Sequence, residues 1–276
     1  MYNFASGYNL VLIKRWMKTL VIIPSRLSAT RLPGKPLLKI GGLSIISHVV
    51  KKAESANIGE VFVAAEDQEI IDDVKKNGGQ AILTNNYHKT GTDRVFEAIN
   101  KLGNKSVELV MNLQGDEPLM NIDDIKKLHN KMIQSKAQFG TLASNISEKN
   151  VLEKQSLVKV ITKDSLNESN FPEAKDFKRE IINETKNIYH HLGIYCYQFE
   201  TLKKFISFNQ SPNEIKFKLE QLRALDNYIK INVALAKESP IGLDTKEDFV
   251  AIKKIMEYKD QWVKFFFKEH LEHIHI

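Results

Sequence analysis

Short apolar runs alternate along this chain with longer segments whose apolar residues recur every three or four positions. Leu20 to Ile23 reads as a strand, and Ser44 to Ala56 as a helix with Ile45, Ile46, Val49 and Val50 on one face. Val61 to Ala65 predicts a strand, Gln68 to Lys76 a helix, Ala81 to Leu83 a strand and Thr92 to Leu102 a helix. Leu109 to Leu113 predicts a strand that ends in Gly115-Asp116, and Asn121 to Gln134 a helix that Asn121 can cap. Strands that are apolar throughout, set between amphipathic helices, belong to a covered sheet. The pattern therefore predicts an α/β fold with a mostly parallel sheet flanked by helices.

From Phe139 the texture changes. Strands near Gly140 to Ser144 and Leu157 to Ile161 precede a polar stretch, Thr162 to Asn187, with weak periodicity. Ile188 to Phe199 reads as a strand, Thr201 to Phe205 and Pro212 to Leu225 as helices, and Ile229 to Ala234 as a strand. Thr245 to Glu257 predicts a final helix, and the tail with His270, His273 and His275 an amphipathic terminal helix.

Composition narrows the class. A chain of 276 residues, 42% hydrophobic, suits one large α/β domain with a substantial core. The net charge of +6 is spread over many lysines without a dense basic run interleaved with aromatics, so nucleic-acid binding has little support. No apolar run approaches the length of a membrane span. Cys196, the only cysteine, excludes an intrachain disulfide, suits a reducing cytoplasm and sits in an apolar strand as a small core residue. Residues 1–16 show no signal-peptide core and are expected to be a disordered extension or a start-site artefact.

The chemistry concentrates where the first strand ends. Arg26, Arg31 and Lys35 lie on a loop stiffened by Pro33 and Pro36, a placement suited to clamping a polyanion such as a nucleoside triphosphate. A solvated basic turn is the plain alternative. The loop is neither a P-loop, because Lys35 precedes Pro36 rather than Ser or Thr, nor a G-x-G-x-x-G dinucleotide fingerprint. Asp116 lies just past a strand end, where ligands collect in open α/β sheets. Asp244 opens a helix with Asp-Thr-Lys-Glu, where an N-cap completed by Glu247 would explain it without any ligand.

The run Pro24-Ser25-Arg26-Leu27-Ser28-Ala29-Thr30-Arg31-Leu32-Pro33-Gly34-Lys35-Pro36-Leu37 resembles the N-terminal signature of the 3-deoxy-manno-octulosonate cytidylyltransferases, the CMP-KDO synthetases of Gram-negative bacteria. Later segments agree in order: Lys89 to Arg94, Asn112 to Pro118, His191 to Tyr195, Leu219 to Arg223 and Gly242 to Asp248. The likeness runs from about Met17 to about Met256.

The resemblance implies a nucleotide-diphospho-sugar transferase-like, Rossmann-like domain over 17–257, with a nucleotide-binding half to about 135, a sugar-binding and dimerisation part over about 136–240, and a helical tail at 258–276. It implies transfer of CMP from CTP to an acidic 3-deoxy sugar for lipopolysaccharide biosynthesis, by a cytoplasmic homodimer that uses Mg²⁺. On the matching positions, Arg26, Arg31 and Lys35 would hold the triphosphate, and Asp116 and Asp244 the metal. Gly91, Thr92 and Gln114 would face the nucleotide; Asp93 would either join them or cap the following helix. His191, Tyr195, Glu220 and Gln221 would contact the sugar.

Departures are concentrated on the sugar side. The family's Tyr-Phe-Ser-Arg after the strand at Val158 to Ile161 has no evident counterpart in Asp164 to Pro172, which leaves Lys175, Lys178 or Arg179 to replace its arginine. Ala29, Glu66 and Gln198 stand where the family tends to have Ser, Thr and Arg. Two other readings follow: a cytidylyltransferase for another acid sugar, an 8-amino variant or a nonulosonate, and a degenerate homologue that binds CTP without turnover.

Overall fold

The computed structural model describes residues 18–28, 31–103, 106–146, 150–181 and 186–258. The proposed extension at 1–16, Met17, Ala29 and the histidine-bearing tail lie outside them. The first strand, β1 (Thr19–Ser25), sends Leu20 and Ile22 into one hydrophobic layer and Val21 and Ile23 into the other. All four are fully buried, as a strand covered on both faces requires.

After β1 come a 3-10 turn (Lys35–Leu37), the short pair β2 (Lys39–Ile40) and β3 (Leu43–Ser44), α1 (Ile45–Ser55), β4 (Glu60–Ala65), α2 (Gln68–Lys76), β5 (Ala81–Leu83), α3 (Gly91–Leu102), β6 (Leu109–Asn112) and α4 (Ile122–Ser135). Local chemistry sets the helix starts. Ser44 accepts from the Ser47 backbone N–H, Asn121 accepts from that of Asp123, and Thr90 with Asp93 forms a reciprocal capping box at α3. The second part comprises β7 (Phe139–Ser144), α5 (Asn150–Glu153), β8 (Lys159–Thr162), β9 (Ala174–Lys178), β10 (Ile188–Gln198), α6 (Phe199–Ser207), α7 (Pro212–Phe217), α8 (Leu222–Asp226), β11 (Asn232–Leu235) and a last helix, α9, at 246–258.

The main sheet runs β11-β7-β10-β6-β1-β4-β5, with β8 joined to β10 and β9 to β8. Strands β5, β4, β1 and β6 are mutually parallel. Strand β10 is antiparallel to β6, β7 and β8, and thereby ties both parts into one sheet. A register shift between Leu192 and Tyr195 re-aims its side chains where it passes the strand ends.

Two expectations are corrected here. The polar stretch Thr162 to Asn187 contains β9, which pairs with β8. The helix expected over Pro212 to Leu225 is two helices, interrupted at Lys218, whose φ of 54° turns the chain through the left-handed region. That break lets Leu219 to Gln221 leave the helical path and face a cavity.

Candidate active site

At the C-terminal ends of β1 and β6 lies a cavity of about 360 Å³. The loop after β1 furnishes Arg26, Arg31 and Lys35; Gly34, at φ 71°, makes the turn that leads into Lys35. Arg26 is exposed and makes no ion pair among the described residues. Gly115 is needed where β6 ends, since a Cβ there would stand 3.0 Å from the Pro24 carbonyl oxygen. Without one, Gln114 and Asp116 reach the cavity beside the first loop. Gly91 and exposed Lys89 line it as well.

Asp116 and Asp244 meet there although 128 positions separate them in sequence (244 − 116). Lys35 Nζ donates to Asp116 Oδ2, to Asp244 Oδ1 at 3.3 Å and to the Leu243 carbonyl at 2.7 Å. Arg31 pairs with the other oxygen of Asp244 at 2.9 Å. An ammonium therefore already stands between the two carboxylates, whose side chains remain 33% and 46% exposed. Two carboxylates facing one cavity beside Arg26, Arg31 and Lys35 form a donor set that suits Mg²⁺, which takes the rest of its shell from phosphate and water. Among the described residues no group of three or more His, Cys, Asp and Glu side chains gathers as a metal cage.

The capping explanation of Asp244 fails. The α9 start is capped by Thr245, whose hydroxyl accepts from Asp248 N–H, while Asp248 accepts from Asp244 N–H and Thr245 N–H. Glu247 takes no part in that cap, and the Asp244 carboxylate is left to the cations of the cavity.

A second cavity, of about 760 Å³, adjoins the first and shares Arg31, Gly91, Gln114 and Asp244 with it. His191, Tyr195, Glu220 and Gln221 all line it. His191 is buried, shares a 3.0 Å hydrogen bond with the Thr141 hydroxyl and packs edge-on against Phe177. Burial, with His190 alongside, lowers its pKa to about 3, so the ring is neutral at physiological pH. Tyr195 donates to Gln221 Oε1 at 3.2 Å, and burial raises its pKa. Glu220 is raised too, chiefly by burial, against hydrogen bonding from Thr92 and the charge of Arg223. Glu117 is pushed up to about 8 by burial and then by Asp116 and Asp244, with Lys35 opposing.

Each cavity contains a buried polar atom without a hydrogen-bond partner among the described residues: Ser25 Oγ in the first and Glu117 Oε2 in the second. Two more, Asn112 Oδ1 and Ser144 Oγ, line neither cavity.

Thr92, assigned to the nucleotide from sequence, is fully buried and lines neither cavity. Asp93 serves the α3 capping box. Sequence reasoning left out Lys89, Glu117, Lys154, His190, Lys218 and Ser239, all cavity-lining. Lys89 and Glu117 lie inside matching motifs and could have been found; Lys154, His190, Lys218 and Ser239 lie outside them.

None of Lys175, Lys178 and Arg179, the candidates for the absent arginine, lines either cavity. Strand β9 ends in Phe177-Lys178 and is followed by Arg179, a Phe–x–Arg spacing later in the chain than Asp164 to Pro172. Arg179 Nη1 donates to the Gln155 and Ser156 carbonyls at 3.2 and 3.3 Å, and Ser156 lines the larger cavity. Lys178 pairs instead with Asp176, and Lys175 is exposed. Glu66 is the partner of Arg94, and Gln198 donates to the Lys136 carbonyl.

A family model described as cytidylyltransferase matches residues 20–231. A 3-deoxy-manno-octulosonate cytidylyltransferase of Rhodopseudomonas palustris is 40% identical over 87% of this chain and 98% of its own length. One from Thermodesulfovibrio yellowstonii is 39% identical over 87% of this chain and 98% of its own length. Among solved structures, a CMP:2-keto-3-deoxy-manno-octonic acid synthetase complexed with CTP superimposes with a TM-score of 0.79 at 32% identity, covering 88% of this chain and 99% of that one.

Proposed function

The chain belongs to the 3-deoxy-manno-octulosonate cytidylyltransferase family, and on that premise we propose that it joins CMP from CTP to 3-deoxy-manno-octulosonate. The observation that carries the reading is the pair of adjoining cavities, one ringed by cations and one lined by buried polar groups, with Arg31, Gly91, Gln114 and Asp244 between them.

CTP binds in the cationic cavity with its triphosphate against Arg26, Arg31 and Lys35, where two guanidinium forks and a mobile ammonium match phosphate oxygens. The acid sugar binds in the larger cavity against His191, Tyr195, Glu220 and Gln221, and Arg179, bonded to the carbonyl of cavity-lining Ser156, is the candidate partner of its carboxylate. The sugar hydroxyl attacks the α-phosphorus, an O–P bond forms, the bond to pyrophosphate breaks in line, and the hydroxyl proton passes to water. Arg26, Arg31 and Lys35 stabilise the charge that grows on the departing phosphates. Asp116 and Asp244 would hold Mg²⁺, which supplies charge neutralisation and polarisation at the phosphates when bound. The same reading includes a homodimer acting in the cytoplasm, in lipopolysaccharide biosynthesis.

The test is pyrophosphate release from CTP, Mg²⁺ and 3-deoxy-manno-octulosonate, beside a no-sugar control and an 8-amino sugar. Sugar-dependent release with the plain sugar is expected. Release with the 8-amino sugar alone would move the substrate assignment, and CTP binding without release from either would leave a nucleotide-binding homologue.

A further inference from the structure

Thr92 is the second residue of α3, directly after Gly91, which faces both cavities. Its side chain turns away from both and into the molecule. There its hydroxyl donates to the Glu220 carboxylate. Asn112 Nδ2 and Tyr197 OH lie 3.4 Å from the same oxygen. A hydroxyl has a single proton, and that of Thr92 is directed at Glu220 Oε1. One residue along, Asp93 Oδ1 lies 3.4 Å from Arg223 Nη1. Arg223 is 2% exposed and grips Glu214 through two hydrogen bonds, at 2.6 and 2.8 Å. The first turn of α3 thus holds the segment bearing Glu220 at two points.

We infer that Thr92 is a positioning residue of the acid-sugar site, its hydroxyl fixing the Glu220 carboxylate against the cavity wall. The inference rests on the proposed function and reverses the role that sequence suggests for Thr92. A carboxylate on an irregular segment between two short helices has freedom that a bound sugar would otherwise have to remove; a buried donor on a regular helix removes it beforehand.

Steady-state kinetics of Thr92→Val, Thr92→Ser, Glu220→Gln and the Thr92→Val/Glu220→Gln pair test it, with wild type in the same assay. Wild-type turnover of 3-deoxy-manno-octulosonate judges the functional reading by itself. Given that turnover, Thr92→Val, close to isosteric, is expected to raise KM for the sugar about tenfold or more while KM for CTP stays within about twofold. Thr92→Ser, which keeps the donor, is expected to stay near wild type. The double variant should be no worse than Glu220→Gln alone, because both changes remove one interaction. A rise in KM for CTP instead, an unchanged KM for the sugar, or multiplying effects in the double variant would overturn the inference. A crystal structure of Thr92→Val with Glu220 unmoved would overturn it whatever the substrate proves to be.

Discussion

The two cavities are built on opposite electrostatic plans. The smaller one holds its ions near the surface: Arg31 is 62% exposed, and the Asp244 it pairs with is 46% exposed. The larger one is walled by groups that burial drives toward neutrality, His191, Tyr195 and Glu220 among them, and behind that wall lies a nearly solvent-free ion pair, Arg223–Glu214. Exposed charges can be changed with little loss of stability and recruit a polyanion; buried ones hold shape. The difference teaches that one site is built for charge and the other for fit.

The comparison breaks first at the buried pair. Glu214→Ala leaves Arg223 uncompensated inside the protein, and losses on breaking such pairs run to about 3–5 kcal/mol. Calorimetry should show Tm falling by roughly 10 °C, whereas an unchanged Tm would put the wall's support elsewhere. Asp116→Asn sharpens the contrast from the other side. Turnover should fall at least about a hundredfold, with Tm held within a few degrees; near-normal pyrophosphate release would remove this carboxylate from the reaction.

Arg179→Ala comes next. A lost charge-assisted contact is worth about 1.5–3 kcal/mol, so KM for the acid sugar should rise roughly ten- to hundredfold with KM for CTP unmoved. Equal rises in both constants would deny Arg179 a sugar-specific role. The smallest effect is that of pH on His191. Its folded pKa of about 3 lies below the ordinary 6.5, so the unfolded chain binds the proton first as pH falls. Stability from this group is therefore complete above pH 6.5 and declines below it, by at most about 1.4 kcal/mol per pH unit. Melting curves of wild type and His191→Asn between pH 7.5 and 5 should converge toward the acid end.

The same contrast explains what sequence could reveal. The first half of the chain was legible because its basic residues form one contiguous run after an apolar strand, and its helices carry their own caps at Ser44, Thr90 and Asn121. The part after Phe139 was not. Strand β9 offers only Ala174 and Phe177 as buried apolar residues amid Lys175, Asp176 and Lys178, too sparse an alternation to read. The helix break at Lys218 has no glycine to announce it. Thr92 sits within a motif whose neighbours line the cavity, and only packing turns its hydroxyl the other way. Asp244 followed a good capping pattern, yet Thr245 and Asp248 made the cap one residue later.

Strand β10 has a mechanical consequence. Its last residues, Tyr195 to Gln198, are laddered to β6, the strand that delivers Gln114 and Asp116; its first, Ile188 to His190, are laddered to β8; and β7 runs along its other edge. One continuous strand thus lines the larger cavity and is laddered to the strand that leads into the smaller, and opening the two like a jaw would break backbone hydrogen bonds worth about 1 kcal/mol each. The platform behaves as a single stiff body, and whatever yields to an arriving substrate must be sought in the loops above it, such as the one carrying Arg26, Arg31 and Lys35.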